Sequence, residues 1–150
     1  MEENKQQNLP SIQINAQYVK DLSFEAPALP FALSGLKTAP KINIDIDVKV
    51  NKAPSENVYT VDLITSIKAV KSDEDKTLFL CELTYGGLVT LNLPKEQVEP
   101  VLLIEIPHLL FPYVRSIIAN ITRESGLPPL QINPIDFASL YREKLKKSTN

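Results

Sequence analysis

The side chains able to do covalent or acid–base chemistry are few in this chain and poorly spaced for it. His108 is the only histidine, and it opens an apolar segment where a histidine most often starts or packs a helix. Cys81, the only cysteine, lies on the Phe79, Cys81, Leu83, Tyr85 side of an alternating run. Core packing explains it better than nucleophilic attack, since no second histidine can serve as base. Asp45 and Asp47 flank Ile46 on the polar side of another alternating run, which reads as a solvated face rather than an acid/base pair. Four glycines cannot assemble a phosphate-cradling loop. No cysteine, histidine or carboxylate group has metal-ligand spacing. The chain therefore reads as a non-enzyme with no catalytic residue, no cofactor and no metal. Surface contact is the chemistry left. Leu78, Leu80 and Glu82 alternate away from Cys81, and two leucines beside a carboxylate on an open face would make a contact surface. Asp21 and Glu25, at the two ends of DLSFE, are by themselves ordinary surface carboxylates.

These residues must be positioned by a chain of 150 residues, a length that suits one domain. The net charge of −2 and the absence of a basic block interleaved with aromatics argue against nucleic acid. No apolar run approaches the roughly 18 residues of a membrane span. The opening MEENKQQNLP is polar and acidic, unlike a signal peptide. A lone cysteine rules out an intrachain disulfide framework and fits a reducing compartment. A cytoplasmic protein with no direct membrane insertion is the expectation.

Residues 1–10 read as a disordered leader, 11–147 as one domain and 148–150 as a flexible end. In the first strand Ile12, Ile14, Ala16 and Tyr18 alternate with Gln13, Asn15 and Gln17. Residues 41–50, KINIDIDVKV, alternate most cleanly: Ile42, Ile44, Ile46, Val48 and Val50 on one face, Lys41, Asn43, Asp45, Asp47 and Lys49 on the other. Residues 51–57 turn the chain around Pro54. A third strand over 58–70 places Tyr59, Val61, Leu63 and Ile67 inward, and 72–75 turn again. A fourth strand over 78–91 is expected to bulge or bend at Gly86-Gly87. A long helix starts around Pro107 or Pro112 and ends at Gly126, and a second runs from about 134 to 147, capped by Asn133. The fold class is α+β: a four-stranded antiparallel sheet followed by two helices.

Two segments fit no tidy element. In 104–141, Leu110, Val114, Ile117, Ile118 and Ile121 form an apolar stripe that Leu109, Phe111 and Tyr113 widen. A helix apolar over most of its girth needs cover on several sides, and a second subunit is the expected source. Residues 23–40, SFEAPALPFALSGLKTAP, are irregular yet carry Phe24, Leu29, Phe31, Leu33 and Leu36. Long apolar connections of this sort are uncommon and often functional.

The string HLLFPYVRSIIANITRESGLPPLQINPIDFASLY resembles the C-terminal half of SecB, the bacterial protein-export chaperone. YVKDLSFEAP at 18–27 and FLCELTYGG at 79–87 match the same family in the same order. The resemblance spans nearly the whole chain. It implies a dimer-of-dimers homotetramer, with Leu110, Val114, Ile117, Ile118 and Ile121 at the subunit interface. It implies an acidic sheet face that docks the zinc-binding tail of SecA, the translocation motor, through Asp21, Glu25, Leu80 and Glu82. The end, YREKLKKSTN, departs from the acidic tails of better-known members.

The function expected is an ATP-independent cytosolic holdase that keeps unfolded preproteins translocation-competent and delivers them to SecA. A chaperone without a nucleotide site must hold clients by exposed apolar surface and backbone-pairing edges. Phe24, Leu29, Phe31, Leu33, Leu36 and Leu78 are the client-binding candidates. One rival is a small-ligand-binding or catalytic α+β domain using the 24–36 loop as a lid. Another is a SecB-like chaperone dedicated to a single partner such as an antitoxin.

Overall fold

Four alternating runs separated by turn residues give four strands, and the computed structural model shows how they assemble; it describes residues 9–35, 39–72 and 75–148. β1 (Ser11–Glu25), β2 (Lys41–Lys52), β3 (Val58–Lys71) and β4 (Lys76–Asn92) form one antiparallel sheet in the order β1-β4-β3-β2. β1 and β2 thus occupy opposite edges. Their connection must cross the end of the sheet where the β3–β4 hairpin turns, which is why it is long. A 3-10 turn, Phe31–Gly35, lies within it. Leu36, a client-binding candidate, lies outside the described residues, as do residues 1–8 of the expected leader and 149–150 of the expected flexible end.

One face of the sheet is covered by helices. α1 (Lys95–Pro100), a π turn (Val101–Glu105) and α2 (Ile106–Glu124) follow one another without a break. The helical chain therefore starts well before Pro107. Over Lys95–Glu124 it is long and apolar enough, by length and composition, to cross a membrane. In sequence Glu105, His108 and Arg115 interrupt the apolar run; continuous winding joins the pieces. Within the fold, Ile106, Leu110, Val114 and Ile118 of this segment are fully buried against the sheet. The stripe that the sequence assigned to a partner is thus largely spent on the chain's own core.

Helix ends follow local chemistry. Gly126 adopts φ 87°, and its N–H bonds the Arg123 carbonyl while that of Leu127 bonds Thr122, a Schellman stop. The buried Thr122 hydroxyl accepts the Leu130 N–H at 2.9 Å and so ties the following segment to α2. α3 (Phe137–Ser148) starts later than expected, because the Asp136 carboxylate, not Asn133, accepts the Ser139 N–H at 3.0 Å.

The bulges also fall elsewhere than expected. β4 runs straight through Gly86-Gly87, and the irregularities lie on β1, between Ile14 and Ala16 and between Val19 and Asp21. The two glycines serve close approach instead. A Cβ on Gly87 would meet the Leu110 methyls at 3.3 Å on the helix side, and one on Gly86 would meet the Tyr18 ring at 2.5 Å on the opposite side. The first β1 bulge breaks the expected alternation. Ile12 and Ile14 pair with Leu91 and Val89 on the helix side, whereas Ala16 and Tyr18 pair with Leu88 and Gly86 on the outer face. A third bulge, opposite Ala69 and Val70, takes Leu78 out of the Leu80 row. Leu78 is buried, so it does not share the exposed face with Leu80 and Glu82.

Candidate functional site

Strand register builds the outer face row by row. Asp21 pairs with Thr84, Ser23 with Glu82 and Glu25 with Leu80, and these rows continue through Ile64, Ser66 and Lys68 on β3. Asp47, Asp45 and Asn43 complete them on β2. Asp21, Glu25, Leu80 and Glu82 are therefore brought onto one exposed surface, from two separate stretches of chain. Asp45, read from the sequence as part of a solvated face, and Ile64, which sequence reasoning did not single out, lie on it too. An isoleucine in the otherwise polar run Thr60, Asp62, Ser66, Lys68 was the available signal. Leu80 and Ile64 are each 37% exposed, so the face offers two apolar spots among carboxylates, with Lys68 beside Leu80. Asp47 sits at its far border, where its Oδ1 lies 2.7 Å from the Lys144 ammonium. That bond, chiefly, holds the Asp47 carboxyl below the usual carboxylate range.

The crossing connection forms a second feature. Phe24 stacks on Phe79 with ring centroids 5.4 Å apart, and Leu29 is half-buried against the core. These two act as core lid. Phe31 is 86% exposed and Leu33 40%. Phe31, Ala28 and Ala32 line a cavity of about 410 Å³ with Leu78 and Thr77 on its sheet side and Lys71 and Lys76 at the hairpin. Leu78 is thus the inner wall of a pocket whose outer rim is Phe31.

A third feature escaped the sequence reading. Ile42, Ile44 and Ile46 of β2 face 130–135 and Leu140 across an open groove of about 520 Å³. The alternation of KINIDIDVKV announced an apolar face but not that β2 is an edge strand with incomplete cover. Lys144 closes one end of that edge by donating to the Val48 carbonyl at 2.9 Å.

The predicted interface residues divide. Leu110, Val114 and Ile118 are fully buried within the single chain, so no partner is needed to cover them. Ile117 and Ile121 are half-buried on the flank of α2, in line with the half-exposed Leu109 and Tyr113 at i, i+4 spacing. Tyr113 stacks on Tyr85 at 5.8 Å, beside the exposed Val19 of β1. His108 is exposed on the first turn of α2 and Cys81 is buried in β4. Burial first, and the Glu82 charge second, push the Cys81 thiol up.

Comparison with known proteins places this arrangement. The family model described as preprotein translocase subunit SecB matches residues 5–148. The chain belongs to the SecB family. It is 48% identical over 139 residues to the protein-export protein SecB of Paramagnetospirillum magneticum, covering 92% of this chain and 88% of that one. The Rickettsia conorii SecB is 39% identical over 145 residues, covering 96% and 94%. Among solved structures, the SecB-like chaperone Rv1957 of Mycobacterium tuberculosis, in complex with a ChAD peptide from the HigA1 antitoxin, aligns with a TM-score of 0.65. That alignment covers 83% of this chain and 90% of that one at 14% identity, a likeness of fold. The four-stranded antiparallel sheet backed by helices is thus a SecB-like architecture.

Proposed function

We propose that this chain is an ATP-independent cytosolic holdase that captures unfolded preproteins and delivers them to the SecA motor. The observation that carries the proposal is open apolar surface at two places on one chain. The β2 groove is lined by half-buried isoleucines along a strand edge, and Phe31 stands almost free above the Leu78 pocket. An extended client can pair its backbone with an edge strand and place alternate side chains against Ile42, Ile44 and Ile46. Phe31 and Leu33 supply a second apolar contact. Each is weak alone, and affinity comes from several contacts held on one assembly.

Delivery rests on the outer face. A zinc-folded tail rich in Lys and Arg is steered by Asp21, Glu25 and Glu82, with Leu80 as the apolar contact. Assembly as a homotetramer, a dimer of dimers, is supported by the uncovered flank Leu109, Tyr113, Ile117 and Ile121. Val19 and Leu22, both exposed on β1, extend it. A reduced, buried Cys81 fits a cytoplasmic setting.

The test is a refolding assay with a slow-folding preprotein, without nucleotide and after dialysis against a chelator. The protein should delay refolding under both conditions, and Phe31→Ser combined with Ile44→Ser should remove most of the delay. A requirement for ATP or metal, or undiminished capture by the double variant, would overturn the reading.

A further inference from the structure

The outer face holds a carboxylate that the docking surface does not use. Asp62 of β3 pairs with Gly86 of β4, which pairs in turn with Tyr18 of β1. Although this row lies on the outer face, Asp62 is only 2% exposed. The Tyr18 ring rests directly on Gly86 and flanks the carboxylate, which is possible because Gly86 has no Cβ. Among the described residues, Asp62 Oδ1 is sealed without a hydrogen-bond partner. Oδ2 accepts from the Lys20 ammonium at 3.1 Å. Lys20 is the extra residue of the second β1 bulge, adjacent to Asp21. A buried carboxylate with one oxygen unpaired strongly retains a cation that can reach the other.

Direction matters here. The Asp62 row is next to the Asp21 row, two rows from Glu82 and three from Glu25. Four residues of strand put Gly86 about 13 Å from Glu82. Bound to Asp62, the Lys20 charge is both neutralised and drawn beyond a Debye length of about 8 Å from Glu82. Released, the same side chain starts beside Asp21 and can fold over the acidic rows.

We infer that Asp62 is a positioning residue for the acidic face, holding Lys20 away from Glu25 and Glu82 so that they stay open to a cationic partner. This rests on the reading of that face as the motor's docking surface. In Asp62→Asn the anchor is lost with the shape kept. Lys20 then competes with the partner's own cations, and the face gains a positive charge.

Titration calorimetry of the zinc-loaded SecA tail peptide against the full-length assembly tests it. Asp62→Asn should weaken binding about fivefold at low salt, the scale of one exposed ion pair. Lys20→Gln in the same chain should return affinity to the wild-type level or above it, and the difference should shrink at high salt. Client capture, measured in parallel, should not change. A loss in Asp62→Asn that Lys20→Gln does not relieve makes the role merely structural and overturns the inference, as does wild-type affinity in Asp62→Asn. Glu82→Lys is the separate control. If it binds the peptide as wild type does, the docking reading fails and the inference fails with it.

Discussion

Ile117 and Ile118 are neighbours in sequence, yet the fold gives them opposite duties, and truncating each in turn separates core from interface. Ile118 is fully buried on the sheet side of α2, whereas Ile117 is half-buried on the flank. Ile118→Ala removes three carbons from a site where the sheet and helix leave little room to collapse. The expected cost is about 3 kcal/mol, within the range for buried isoleucine truncation. For a chain of this size that lowers Tm by about 6–12 °C. Ile117→Ala deletes the same atoms from a half-covered position and should cost under about 1.5 kcal/mol in the folded chain. Its effect should instead appear in assembly. Light scattering should show Ile117→Asp at a lower mass than wild type, while Ile117→Ala changes the concentration dependence of Tm. Thermal unfolding at a fixed protein concentration, followed by circular dichroism, compares the two alanine variants directly. If Ile118→Ala costs no more than Ile117→Ala, the stripe Leu110, Val114, Ile118 is not core, and the packing described above is wrong. If Ile117→Asp retains the full wild-type mass, the α2 flank is not the subunit contact.

Gly86→Ala would set a Cβ 2.5 Å from Tyr18 Cε2 and 2.8 Å from Asp62 Oδ1. It should destabilise by about 1–3 kcal/mol, and Tyr18→Ala in the same chain should recover part of that in urea unfolding. Asp47, its carboxyl held low chiefly by the Lys144 hydrogen bond, gains stability from that pair above the ordinary carboxylate range and loses it as pH falls through that range. Lys144→Ala should therefore cost under about 1 kcal/mol at neutral pH and less in strong acid, where only the Val48 carbonyl contact is left to lose, read from paired unfolding curves. Cys81, buried and with its thiol pushed up, should react with iodoacetamide far more slowly in the native protein than in denaturant. Equal alkylation rates would mean that β4 opens at this position.

Much of this architecture was already written in local pattern. Alternation in KINIDIDVKV defines a strand with one apolar face wherever that strand is placed, because successive side chains point to opposite sides. Gly126 before two prolines stops α2 because left-handed backbone suits glycine and a proline cannot continue a helix. The strings around Tyr18, Phe79 and His108 carry the family by themselves. Tertiary structure alone decided the rest. Which strands are edges depends on pairing between residues far apart in the chain, so neither the β2 groove nor the route of the 26–40 connection could be read from spacing. Bulges are a two-strand property, set by a mismatch of lengths across a ladder. They moved Leu78 inward, Tyr18 outward and Lys20 over Asp62 without any mark in the alternation itself. Whether an apolar helix is covered by its own sheet or by a second copy depends on what faces it. The same pattern satisfies both, and only the packing of Leu110, Val114 and Ile118 against β3 and β4 distinguishes them.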